Sequence, residues 1–221
     1  MYTMKHLYLI ALFASIVLSC NDEKENYESP ENNSCLSDYI TTPCELVDKN
    51  ELASYAGANA GDIEVEIPDE IPIDEVTQYS RIFCEYSWPS ERTSIMTTQY
   101  GETEIETEIP LDNEVSIGDI EVIEEDDLLT LSGHTETYTE YFHRVRIGDD
   151  NPHSERLDGV GDMASLSIIE AMNHSNYRIA DVWVLHKNVN FNILVDVSDS
   201  DEEDVALAKK IALAVLETCA E

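Results

Sequence analysis

Metal and nucleophile chemistry depends on spacing, and the histidines of this chain lack it. His134, His143, His153, His174 and His186 are scattered, with no H-E-x-x-H or H-x-H pair to seat a metal. His6 stands near the start, apart from the rest. No G-x-S-x-G elbow offers a nucleophile to a base and an orienter. Surface or packing roles are expected for each histidine. Gly159-Val160-Gly161 lacks the G-K-[ST] ending of a phosphate loop and reads as a tight turn. Carboxylates are the abundant reactive type. Asp196, Asp199, Asp201 and Asp204 are dense enough to raise calcium, which takes about six to eight oxygens. They lack the glycine and ligand spacing of an EF-hand loop, and helix capping accounts for Ser200 to Glu203. Asp69-Glu70 and Glu124 to Asp127 read as solvated loops. Tyr138, Tyr141, Phe142 and Trp88 could line a ligand groove, with core packing as the simpler reading. No catalytic residue, metal or cofactor is expected.

The cysteines are more informative. Cys20 follows a segment built like a secretory signal. Lys5 and His6 form a short basic start, Leu7 to Leu18 is apolar except for Ser15, and Ser19 is the small residue before a cut. The apolar run of about 12 residues is too short to span a bilayer of roughly 30 Å as a helix. Val17-Leu18-Ser19-Cys20 resembles a bacterial lipobox. That resemblance implies that Cys20 becomes the first mature residue, with a thioether to diacylglycerol and an acylated amine. One acyl chain binds marginally, at about 0.8 kcal/mol per buried CH₂, so stable anchoring takes several. Asn21-Asp22-Glu23-Lys24-Glu25 resembles the export signal of Bacteroidota lipoproteins that reach the outer face of the outer membrane. The expected location is therefore the cell outer membrane, with Cys20 as the lipid anchor and the body exposed at the surface.

Cys35, Cys44, Cys84 and Cys219 remain, an even number in an oxidising compartment. Without a C-x-x-C pair, zinc and thioredoxin-like chemistry are poor readings, and two structural disulfides are expected. Four cysteines allow three pairings. The formal charge of −35 repels nucleic acid and anionic headgroups, so no polyanionic partner is expected. At 43% hydrophobic residues, the chain has enough apolar material for a core.

The elements that must position these residues follow in order. Residues 1–19 are the signal, and 20–34 are the lipidated cysteine and a flexible acidic tether. Residues 35–221 read as one α+β domain with an acidic insertion over about 95–150. Asp48, with Glu51 three residues on, predicts a capping box and a short helix ending at Gly57. Ile63, Val65 and Ile67 alternate with Glu64 and Glu66, predicting a strand that ends at Pro68. Tyr79 to Pro89 is β-rich, and Thr93 to Thr98 is its expected partner strand. Residues 101–127 fit short strands or charged loops. Thr130 to Ile147 fits helix and strand about equally.

Later segments are clearer. Leu157 to Ala164 predicts a Gly-rich turn. Leu166 to Ala171, Asp181 to Lys187 and Asn190 to Val197 predict three strands, the last two in a hairpin. Val182, Val184 and His186 share one face, and Trp183 and Leu185 the other. Ser200 and Glu203 predict a capping box for a terminal helix. Its apolar stripe is Val205, Ala208, Ile211, Ala212, Val215, Leu216 and Cys219.

Three pieces occur together: Thr42-Pro43-Cys44-Glu45-Leu46-Val47, Cys84-x-Tyr86-x-Trp88, and Gly159-Val160-Gly161-Asp162-x-Ala164 before two strands and an Ala-rich helix. Their order resembles the small secreted lipoprotein domains of actinobacteria, which are related to the extracellular sensor domain of a mycobacterial receptor kinase. The resemblance covers roughly 35–221. It implies an antiparallel sheet with a short N-terminal helix and a C-terminal helix packed on it. It also implies a disulfide between Cys44 and Cys84, leaving Cys35 with Cys219. It brings a scaffold and no reaction. The expectation is a non-enzymatic cell-envelope lipoprotein that binds an envelope protein or a small ligand. The competing readings are a hydrolase using an unrecognised carboxylate pair and an acidic, cation-binding surface protein.

Overall fold

The computed structural model describes residues 34–67, 82–100, 103–130, 133–148, 151–170, 174–175 and 177–219. They belong to one compact unit, Asn33–Glu221. The signal, Cys20, the tether up to Asn33, and Asp69 and Glu70 lie outside the described residues, whereas Ser34, expected at the end of the tether, is buried in the body.

The body begins with two 3-10 turns, Cys35–Tyr39 and Pro43–Glu45. Helix α1 follows at Lys49–Ala56. Asp48 caps it through the Asn50 N–H, and Gly57 ends it in the left-handed region. The expected capping box does not form. Glu51 instead accepts from the Tyr55 hydroxyl one turn on, which pushes the Tyr55 pKa up to about 12. Leu52 and Ala53 are the buried positions of this helix.

Among the described residues, seven strands form an all-antiparallel sheet in the order β1-β2-β5-β10-β9-β7-β6. They are β1 (Glu64–Glu66), β2 (Phe83–Trp88), β5 (Asn113–Val122), β6 (Ser154–Arg156), β7 (Met163–Glu170), β9 (Arg178–His186) and β10 (Val189–Asp196). A second antiparallel sheet has the order β4-β3-β8, from β3 (Thr93–Tyr100), β4 (Thr103–Pro110) and β8 (His174–Ser175).

Several expectations change here. β3 does not pair with β2: it folds back on β4, and β2 pairs with β1 and β5. β1 is shorter than the alternation suggested. At the edge of the sheet it buries Ile63 beside it but leaves Val65 and Ile67 exposed. The stretch expected as an acidic insertion contributes β5 to the middle of the main sheet. The segment that fitted helix and strand equally forms helix α2, Tyr138–Arg146, with a capping box between Thr137 and Glu140.

The main sheet is covered on both faces. On one, Val182, Val184, Phe191, Ile193 and Val195 meet Leu207, Ala208, Ile211, Ala212 and Val215 of helix α3, Asp201–Glu217. On the other, Trp183 and Leu185 pack with Phe142 of α2, Ile123 and Leu128. The alternation along β9 is thus resolved into two cores. Ser200 caps α3 by accepting from the Glu203 N–H. Its hydroxyl donates to Glu202, so only half of the expected capping box is made.

Two glycines are required by close approach. A Cβ on Gly161, whose φ is +57°, would lie 2.4 Å from the Leu185 carbonyl oxygen. One on Gly118 would lie 2.2 Å from the Ile82 carbonyl oxygen, beside the register shift between β5 and β10.

Disulfides join Cys44 to Cys84 and Cys35 to Cys219, with Cα–Cα distances of 4.9 and 5.6 Å. This is the pairing that the resemblance implied. Next to the first bond, the buried Tyr86 hydroxyl donates to the Val47 carbonyl at 2.7 Å. Burial pushes its pKa up to about 12. Tyr86→Phe leaves that carbonyl without its partner and is expected to cost about 1–2 kcal/mol in urea unfolding. A loss near zero would mean that water replaces the hydroxyl.

Candidate functional site

Arg92 follows the turn after β2, and its guanidinium reaches the junction between β10 and α3. It donates to Asp196 Oδ1 at 2.6 Å and to the carbonyls of Asp196, Ser198 and Asp112 at 2.9, 3.0 and 3.2 Å. Nε donates to Asn113 Oδ1 at 3.2 Å. The ion pair is nearly dry, with side-chain exposures of 11% and 5%. The root of the β3–β4 hairpin, the end of β10 and the loop before α3 are thereby tied to one cation. Burial raises the Asp196 pKa, and the Arg92 bonds and charge oppose that rise.

Asp204 lies one turn into α3 and is 3% exposed. Its carboxylate accepts from the Val197 N–H at 3.3 Å. Burial pushes its pKa up to about 6, against the Ser198 and Val197 bonds, and Asp196 adds repulsion. An acid whose pKa is raised on folding binds its proton more tightly in the folded state. Its contribution therefore falls as pH rises from about 4 to 6, and the penalty persists above that range. Asp204→Asn keeps the acceptor and removes the charge. It is expected to raise stability at pH 7–8 by on the order of 1–3 kcal/mol, with the gain vanishing below about pH 4. Chemical denaturation across that pH range checks both the sign and the window.

Two hollows share Ser198 in their walls. One, of about 310 Å³, is lined by Thr93, Arg178, Ser198, Asp199 and Asp201. The other, of about 240 Å³, is lined by Tyr55, Ala56, Trp88, Asn113, Val197, Ser198, Glu203 and Leu207. The first is at the lower end of the size of small-ligand sites and the second is below it. Arg178 pairs with Asp201 at 2.7 Å and lies 3.7 Å from Glu170. Asp199 and Glu203 supply negative charge, and Tyr55 and Trp88 supply aromatic surface. Lys210 stands over the Tyr55 ring at 4.5 Å, so a cation already stacks on one wall residue.

Three of the four carboxylates that calcium would need are already engaged. Asp196 is held by Arg92, Asp201 by Arg178, and Asp204 by the Val197 N–H. Among the described residues no group of three His, Cys, Asp or Glu side chains is placed to hold a metal ion. Glu124 and Asp127 form the capping box of a 3-10 turn, Glu125–Leu128. Phe142 is core, with Tyr138 and Tyr141 packed at its edge, while Trp88 lies in the core of the opposite face. These four aromatics therefore form no common groove. His186 is 3.9 Å from Asp162, and His174 contributes backbone pairing in β8.

Carboxylates also line the second face of the sheet. Glu114 and Asp196 stand opposite each other across β5 and β10. Burial, then Glu85 and Asp196, raise the Glu114 pKa. The cavity beside them, lined also by Ser116 and Tyr177, is about 20 Å³, room for one water. A substrate does not fit there. Asp181, its pKa also raised by burial, accepts from Asn192 and Ser167.

Sequence reasoning missed Arg92, the burial of Asp204 and the role of Ser198. One signal was available: with only 12 Lys and Arg against 47 Asp and Glu, each arginine is scarce enough to ask what it neutralises. Comparisons of the chain with protein-family models, curated proteins and solved structures find no match.

Proposed function

We propose that this chain is a non-enzymatic cell-envelope lipoprotein, anchored by lipid on Cys20 at the outer membrane. On this reading its domain binds a small cationic ligand, an amine, at the head of α3. The two hollows meeting at Ser198 carry the proposal. Asp199 in one and Glu203 in the other suit an ammonium group, and Tyr55 and Trp88 add apolar wall to the second for its organic part. The lipobox and the order of the cysteine, tryptophan and glycine motifs support the lipoprotein scaffold.

Calorimetry with aliphatic polyamines and aryl-alkyl amines tests the ligand class. Asp199→Asn with Glu203→Gln is expected to weaken the best amine about tenfold or more. No amine binding at any chain length, or equal binding by the double variant, would overturn this reading. Turnover by the purified protein would revive the hydrolase. The anchor has its own test: Cys20→Ala is expected to move the protein from the membrane fraction to the soluble one. Retention with the membrane would refute the lipobox.

A further inference from the structure

Among the described residues, β4 is the outer strand of its sheet, with β3 on one side only. Seven of its eight positions are exposed. Sheet edges carry unpaired backbone donors and acceptors, and proteins usually blunt them with short strands, bulges, cover, proline or charged side chains, of which β4 has its glutamates and Pro110 at its end. β4 is eight residues long and pairs with β3 in unbroken register from Thr103↔Tyr100 to Pro110↔Thr93. Its side chains are sorted by face. Glu104, Glu106 and Glu108 point one way, spaced about 6.8 Å apart along the strand. Ile105 and Ile109 point the other way, beside Thr98 and Ser94 of β3, and Ile105 is 49% exposed. Tyr100, 80% exposed, continues that side at the hairpin end.

A second copy of this chain is a poor occupant. In an antiparallel pair, residues opposite each other share a face, so a symmetric β4–β4 contact sets Glu against Glu. The net charge of −35 adds to that repulsion. The same pattern is complementary to an extended segment with Lys or Arg at every second position and β-branched or apolar residues between. Its cations would meet the three glutamates, and its apolar side chains would lie along Ile105 and Ile109.

We propose that the β4 edge is a docking site for such a segment, a cationic β-strand of a partner protein added to the β4-β3-β8 sheet. Main-chain bonds supply pairing and the alternating charges supply register. Arg92 serves this surface at a distance, since it fixes the root of the hairpin to the body.

The full chain in detergent, titrated with labelled eight-residue peptides at about 0.15 M salt, tests this. A peptide alternating Lys with Val is expected to bind and to protect amides of 103–110 from exchange. A peptide of equal charge with Pro at two of the Val positions is expected to bind at least about tenfold more weakly. E104Q/E106Q/E108Q is expected to lose at least about tenfold in affinity for the Lys–Val peptide. D38N/D62N/E155Q, which removes as much charge from exposed sites elsewhere, is expected to lose less than about threefold. Equal binding of the proline peptide, or equal losses in the two triple variants, would show only polyelectrolyte attraction and overturn the proposal. Absence of binding by the Lys–Val peptide would overturn it as well.

Discussion

Arg92→Ala is expected to cost about 3–5 kcal/mol of unfolding free energy, a large share of what a domain this size possesses. The reason is what remains behind. Asp196 stays buried and charged without its partner, and three carbonyls lose their donor. Arg92→Lys supplies a point charge but not the fork, so an intermediate loss is expected. Removing both partners, R92A/D196A, is expected to be milder than R92A alone, because no unpaired charge is left. The R92A deficit is also expected to shrink on acidification. Burial already raises the Asp196 pKa, and losing the cation raises it further, so protonation relieves the cost. Urea unfolding of the four proteins at two pH values reads every arm. An R92A loss below about 1 kcal/mol would mean that water enters the junction and screens Asp196.

Opening the bond between Cys35 and Cys219 is the second large effect. It joins residues 184 apart in sequence and ties the start of the body to the end of α3. Closing a loop of that length removes chain entropy from the unfolded state, worth on the order of 2–5 kcal/mol. Cys35→Ser with Cys219→Ser is expected to lose that amount in urea unfolding. The Cys44–Cys84 loop spans 40 residues, and chain entropy alone ranks its loss about 1.4 kcal/mol smaller. Cys84 is fully buried, so its replacement adds a packing cost that narrows the difference. Native contacts hold both ends of this bond in place as well. Leu36 is fully buried, the Ser34 N–H donates to Asn188 Oδ1, and the Thr218 hydroxyl donates to the Leu46 carbonyl. An unchanged midpoint in the Cys35/Cys219 variant would show that these contacts already restrict the ends.

The shared lesson is that stability here gathers at the two ends of α3. One end is held by a buried cation and the other by a covalent bond. The hollows proposed as a ligand site lie beside the first of these. Ligand binding and the integrity of the Arg92 junction should therefore be measured together.

What the sequence determined by itself is the local and the periodic. α3 was legible because its apolar residues recur on one side over many turns and Ser200 precedes it. β10 was legible because Asn190 and Asn192 alternate with Phe191 and Ile193, and β9 because Val182 to Leu185 is a short apolar, β-rich run, with a short turn between the two. The tight turn at Gly159–Gly161 was legible from composition, and the presence of two disulfides from a count. Tertiary structure decided everything that depends on which strand meets which. Thr93 to Thr98 has strand character, but nothing local says that it turns away from β2 to pair with β4. β5 reads as acidic and ambiguous, yet it sits centrally because β2 and β10 cover its two edges. Thr130 to Ile147 fits two periods, and the capping box at Thr137, together with a place for Phe142 against Trp183, settles it as helix. Arg92 and Asp196, separated by 104 residues, meet only once the sheet is assembled. Burial and pairing are properties of that assembly, which is why the residues at the candidate site were the hardest to read in advance.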